Sequence, residues 1–182
     1  MTDFTIHTLE TAPLGSRDVL GKVSERLGFT PNLYAVMAEA PSLLKGYLAL
    51  SEIFDGTSLT PSERQVVLLA ASHVNGCSYC LAAHGTIARM QKVPEAVVAG
   101  ASAGTAIPDP KLEALRALTE ALVSTRGGPS NAALDAFFRA GYSRSQLLEV
   151  ILGVGLKTLS NYTNHLAHTP VDAAFQAARA GV

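Results

Sequence analysis

The chain has 182 residues, 48 % hydrophobic and 16 % charged, with a net charge of −1 at pH 7 and two cysteines. That length suits one domain, residues 1–182 with a core of about 20–176, or a compact pair of similar halves, and it can bury a sizeable core. A near-neutral balance excludes an electrostatic case for nucleic acid or an anionic membrane. The longest apolar run, Val66 to Ala71, is far too short to span a bilayer. No basic region followed by an apolar core opens the chain, so a cytoplasmic protein is expected.

Residues 1–15 read as an irregular lead-in with a turn at Pro13 and Gly15. Ser16 is a candidate N-cap for a helix through Leu27, ended by Gly28. Pro31 starts a second helix and Pro41 a third, which runs to about Phe54 and carries Leu43, Leu44, Tyr47, Leu48, Leu50 and Ile53 on a broad apolar face. Thr60-Pro61-Ser62-Glu63 is a capping box with proline at the first helical position. The helix it opens is apolar all round over Val66–Ala71, hence buried. Asn75-Gly76 breaks it. A helix over 76–91 follows, then a short one from Pro94 to Ala99 and a loop from Gly100 to Pro110. Three further helices are expected over 111–125, 130–140 and 143–161, with a short terminal one after Pro170. No stretch alternates as a half-buried strand would. The fold class is therefore all-α, with about eight to ten helices. The 60–74 helix and the motif after it have a faint echo in 143–168. Low charge on an Ala-rich helical chain points to extra buried surface, hence to a homo-oligomer.

The chemistry concentrates in Asn75-Gly76-Cys77-Ser78-Tyr79-Cys80-Leu81-Ala82-Ala83-His84. Both cysteines fall in the first turn of a helix, where unpaired N–H groups and the helix dipole favour a thiolate. Positions 77, 80 and 84 step by three and then four, which places them on one helix face. The two thiols are near enough to close a disulfide, and His84 can take or return a proton near neutral pH. Two other readings stand beside this one. Free cysteines are among the most buried residues and can be plain core thiols. His73, Cys77, Cys80 and His84 are also zinc donors, but a straight helix from 73 to 84 would rise roughly 16 Å. Four ligands so spread cannot meet one ion, although a kink at Asn75-Gly76 could bring in two or three.

C-x-x-C-x-x-x-H after Asn-Gly resembles the AhpD-type alkylhydroperoxidase core of the carboxymuconolactone decarboxylase superfamily. Pro31–Met37, Gly46–Leu50, Leu59–Arg64 and Lys157–Asn164 resemble segments of its peroxidase-related members. The resemblance implies an AhpD-like helical bundle and a thiol-dependent peroxidase that needs no prosthetic group and no metal. It implies a hydroperoxide substrate, a thioredoxin- or lipoyl-like dithiol as electron donor, and a homo-oligomer. Cys80, beside His84, would attack the peroxide and Cys77 would resolve the sulfenic acid. The opposite order stays open, because Cys77 is nearer the helix end. Members with the full relay carry a glutamate twelve residues before the first motif cysteine, and that position here is Gln65. Glutamine hydrogen-bonds but cannot ferry a proton. Gln65 and His73 are therefore the candidate relay positions, while Glu63 is accounted for by its capping box. The missing glutamate also supports an alternative, a dithiol–disulfide oxidoreductase or redox sensor with little peroxidase activity. His165 and His168, near Asn161, Tyr162 and Asn164, read as part of a structural hydrogen-bond network.

Overall fold

A computed structural model of the chain describes residues 4–176. Among these residues every regular element is an α-helix: α1 (Leu14–Leu27), α2 (Asn32–Met37), α3 (Pro41–Asp55), α4 (Pro61–Val74), α5 (Ser78–Met90), α6 (Glu95–Ala103), α7 (Pro110–Ser124), α8 (Asn131–Arg139), α9 (Arg144–Ala167) and α10 (Ala173–Gln176). The expected fold class holds.

The centre of the bundle is α4, which packs against α5, α6, α7 and α9. Its start is fixed as the sequence implies. The Thr60 side chain accepts from the Glu63 amide, the Glu63 carboxylate accepts from the Thr60 amide at 2.8 Å, and Pro61 follows the cap. Every residue from Gln65 to Ser72 is buried, as an all-round apolar run requires. Glu63 is buried as well and is neutralised by the Lys111 ammonium of α7 at 3.0 Å.

Three sequence expectations change. Ser16 does not cap α1, which starts at Leu14 after Pro13; it is buried inside the helix, where its hydroxyl donates to the Ala38 carbonyl at 2.7 Å. The helix expected to end at Ala99 continues to Ala103. Gly100 does not stop it, because that residue faces inward, where an added Cβ would lie 2.9 Å from Ile107 Cγ1. The last long helix runs to Ala167 rather than Asn161 and ends at His168 in the left-handed conformation (φ 48°). It is one continuous helix, so it lacks the central break that separates α4 from α5.

Close approach of α9 to the centre depends on Gly153. A Cβ there would lie 2.7 Å from Val67 Cγ1 and 2.8 Å from the Phe54 ring, well inside ordinary van der Waals contact. That approach lays the buried polar edge of α9 beside the start of α5.

Candidate active site

The turn between α4 and α5 builds the site. Asn75 caps α4, Gly76 takes a left-handed conformation (φ 66°), and Cys77 is the N-cap of α5 with extended backbone. The Cys77 amide closes onto the Ser72 carbonyl at 2.9 Å. The Asn75 amide group donates to Asn161 Oδ1 of α9 at 2.9 Å. Tyr79 ties the same turn to both ends of the chain. Its hydroxyl donates to Asp172 at 2.6 Å and accepts from the Leu33 amide at 3.2 Å.

Both cysteines are buried and unbonded to each other. Their partners come from one edge of α9. Lys157, Ser160, Asn161 and Asn164 are all buried there, at helical steps of three, four and seven that align them on one face. Asn164 Nδ2 lies 3.3 Å from Cys80 Sγ and 3.7 Å from Cys77 Sγ, and Ser160 Oγ lies 3.7 Å from Cys80 Sγ. Lys157, wholly buried, sets its ammonium beside Cys80 and donates to His84 Nε2 at 3.0 Å.

This arrangement separates the two thiols electrostatically. Burial alone would raise the Cys80 value, but a hydrogen bond from Cys77, the Lys157 charge and Ser160 outweigh it and hold Cys80 well below the ordinary thiol range. Cys77 moves up, first because its proton is held in the hydrogen bond to Cys80 and then by burial. The direction of both shifts favours Cys80 as the thiolate and Cys77 as the thiol, and the thiol of lower value is the more reactive.

The histidine differs from expectation. Burial first, and then the Lys157 charge, hold His84 well below the usual imidazole value. It is neutral near pH 7 and accepts from Lys157, so the link expected between histidine and cysteine runs through a lysine. Its Nδ1 is buried without a partner among the described residues. The expectation of one shared face also needs correction. Cys80 and His84 both line an apolar pocket of about 330 Å³, together with Lys157, Tyr34, Tyr47 and Phe175. Cys77, as the N-cap rather than a helical residue, lies instead at a second, polar cleft of about 460 Å³.

Of the two relay positions, Gln65 lines the apolar pocket and donates to Gln91 at 3.2 Å. His73 does not join the site. Its ring packs on Gly104 and its Nδ1 contacts the Ser102 carbonyl of α6 at 3.0 Å. The four-ligand zinc set therefore does not converge, and among the described residues no group of three or more His, Cys, Asp or Glu side chains is placed to hold an ion. Asn164, read from the sequence as part of a structural network, touches both sulfurs. Lys157 was not singled out, although a lysine at helical spacing from Ser160, Asn161 and Asn164, in a helix otherwise rich in Leu, Ile and Val, was visible in the sequence.

Comparison with known proteins bears on the fold. Residues 41–123 match the model for the carboxymuconolactone decarboxylase family. A search of the curated proteins returned no match. Among solved structures, a peroxidase-related protein from Ralstonia eutropha with an alkylhydroperoxidase AhpD core superposes with a TM-score of 0.80 at 22 % identity, covering 94 % of this chain and 93 % of that one. A peroxidase-related protein from a Silicibacter species gives 0.80 at 17 % identity over 96 % and 92 % of the two chains. The debrominase Bmp8, solved in complex with 2,3,4-tribromopyrrole, gives 0.82 at 20 % identity over 99 % and 97 %. The fold is AhpD-like, and the resemblance to the AhpD-like members of the carboxymuconolactone decarboxylase superfamily is borne out. Among the described residues no helix is long and apolar enough to cross a membrane.

Proposed function

We propose that the chain is a thiol-dependent peroxidase that reduces organic hydroperoxides with the Cys77–Cys80 dithiol. One observation carries this reading: a thiolate, Cys80, set between a buried ammonium and a second thiol on the wall of a pocket lined by aromatic rings. The Cys80 sulfur attacks the terminal peroxide oxygen, the O–O bond breaks, and an alkoxide leaves and takes a proton. Cys80 becomes a sulfenic acid; Cys77 attacks its sulfur, the S–O bond breaks, and the hydroxyl leaves as water with the Cys77 proton, giving the disulfide. A dithiol donor restores both thiols by exchange. The outer side of α9 exposes Leu148, Ile151, Tyr162 and Leu166, and such a patch supports a homo-oligomer.

The second reading is a dithiol–disulfide oxidoreductase with peroxide as a poor substrate. Gln65 favours it, since the position where the relay glutamate is expected carries an amide that cannot ferry a proton. Stopped-flow turnover with cumene hydroperoxide, a small disulfide and a bromopyrrole, each with excess dithiol, separates the outcomes. The peroxidase reading requires the hydroperoxide to react fastest and Cys80→Ser to abolish the reaction. Equal slow rates for Cys80→Ser and wild type would refute it. The bromopyrrole arm tests whether the likeness to the debrominase extends beyond the fold.

A further inference from the structure

The two thiols open onto different cavities. Cys80 lines the apolar pocket with Lys157 and His84. Cys77 lines the polar cleft with Ser78, Asn164, His165, His168 and Thr169. Asn164 and Thr169, which line this cleft, are only 5 % and 8 % exposed, and each carries a buried oxygen with no hydrogen-bond partner among the described residues. A buried oxygen left unpaired is costly, and the cleft that these residues line is polar where the Cys80 pocket is apolar.

We propose that the dithiol is served from two sides, the oxidant reaching Cys80 through the apolar pocket and a small reducing dithiol reaching Cys77 through the polar cleft. This rests on the peroxidase reading for the oxidant and on the cleft itself for the reductant.

The chemistry fixes the direction of exchange. In the disulfide form one reductant thiolate attacks Cys77 Sγ. The Cys77–Cys80 bond breaks, and the electron pair leaves on Cys80, whose thiolate is held by Lys157. The sulfur that makes the more stable thiolate is the better leaving group. A mixed disulfide then joins the reductant to Cys77. The reductant's second thiol attacks its own bonded sulfur, forms a cyclic disulfide and releases Cys77, which takes the remaining proton. Two electrons and two hydrogens pass from the dithiol to the protein.

Separate cavities also let product and reductant exchange without competing for one opening. The polar lining of the cleft suits a dithiol that carries an amide or hydroxyl group close to its sulfurs.

The test uses the full chain oxidised with diamide, so the reductive step is measured even if hydroperoxides prove to be poor substrates. Reduction by dihydrolipoamide and oxidation by cumene hydroperoxide are followed separately. Ser78→Trp and His165→Trp, which crowd the cleft, are expected to slow reduction about tenfold or more and to leave oxidation within about twofold. Ile87→Trp, in the pocket, is expected to do the reverse. Equal slowing of both steps by either class of variant overturns the proposal. A second measurement needs no variant: a monothiol added to the oxidised wild-type protein and quenched with acid leaves a mixed disulfide that peptide mass spectrometry locates. Attachment at Cys77 supports the two-sided arrangement, and attachment at Cys80 overturns it. Absence of any hydroperoxide reaction would remove the peroxidase reading and leave the Cys77 outcome standing.

Discussion

Lys157→Met isolates the group on which Cys80 reactivity depends. Methionine keeps the length of the apolar stem and removes the charge, in a site that is wholly buried. Cys80 then loses the Coulombic attraction and the hydrogen bond that Lys157 supplies. A hydrogen bond to a buried charged group contributes about 1.5–3 kcal/mol, and each ~1.4 kcal/mol is a factor of ten. Thiolate at neutral pH, and with it the rate of reaction, should fall about 10- to 100-fold. Stability should move much less. Nε2 of His84 loses its donor, which costs about 1–3 kcal/mol, while the burden of burying an ammonium disappears. The assay is iodoacetamide alkylation of Cys80 across pH in a Cys77→Ser background, where serine keeps a donor beside Cys80. Ultraviolet absorbance of the thiolate gives the same titration without requiring reagent access. Alkylation rates within twofold of the lysine form at pH 7, or an unchanged absorbance titration, would refute the electrostatic assignment.

Asn164→Leu removes the donor within 3.3 Å of Cys80 Sγ and 3.7 Å of Cys77 Sγ. It should slow Cys80 alkylation about tenfold at pH 7, and an unchanged rate would make Asn164 merely a packing residue. His84 titrates well below its unfolded value of about 6.5, so its contribution to stability is present above that pH and is lost as pH falls through the folded value. Urea melts of wild type should therefore lose stability below about pH 6.5, and His84→Gln, which keeps an acceptor for Lys157, should show a shallower loss; identical pH profiles would count against a buried neutral imidazole. Gly153→Ala forces a methyl to within 2.7 Å of Val67 and 2.8 Å of Phe54. It should cost about 1–3 kcal/mol in chemical denaturation and slow Cys80 by displacing α9.

Local signals carried much of the fold. The capping box at Thr60, proline at the start of α3, and the Asn75-Gly76 break are short-range chemistry, and each appears where the residues imply. The CxxC at a helix start was legible for the same reason. What was not legible depends on tertiary packing. Gly100 reads as a helix stop, yet its missing side chain serves contact with Ile107. His73 is four residues before Cys77, but the left-handed turn at Gly76 redirects the chain and leaves that ring on α6. Ending the last helix near Asn161 cut its polar edge in two, so Lys157 and Asn164 did not read as one face. The pairing of α9 with α5 across about eighty residues has no local signature.

On the peroxidase reading, a glutamine at the relay position and a buried cation beside Cys80 change which step needs help. A glutamate would draw the proton from a thiol. Here Lys157 holds the thiolate already formed, so no base is needed at the attack. The demand moves to the leaving alkoxide, which must gain a proton in an apolar pocket. Lys157 lines that pocket and can supply it as a general acid. The proton returns in the reductive step, where the two hydrogens of a dithiol restore one to Cys77 and one to the amine. The balance closes as hydroperoxide plus dithiol giving alcohol, water and disulfide, with no carboxylate in the cycle. Gln65 at the expected acid position is then consistent with turnover, because the residue that moves the proton sits on α9 and not on α4. It follows that Lys157→Met should lose activity in the alkoxide-forming step even at a pH high enough to ionise Cys80 fully. A carboxylate-type relay would instead recover completely in base. Rapid-quench measurement of the oxidative step at high pH distinguishes the two, and full recovery of the variant there would remove the general-acid role.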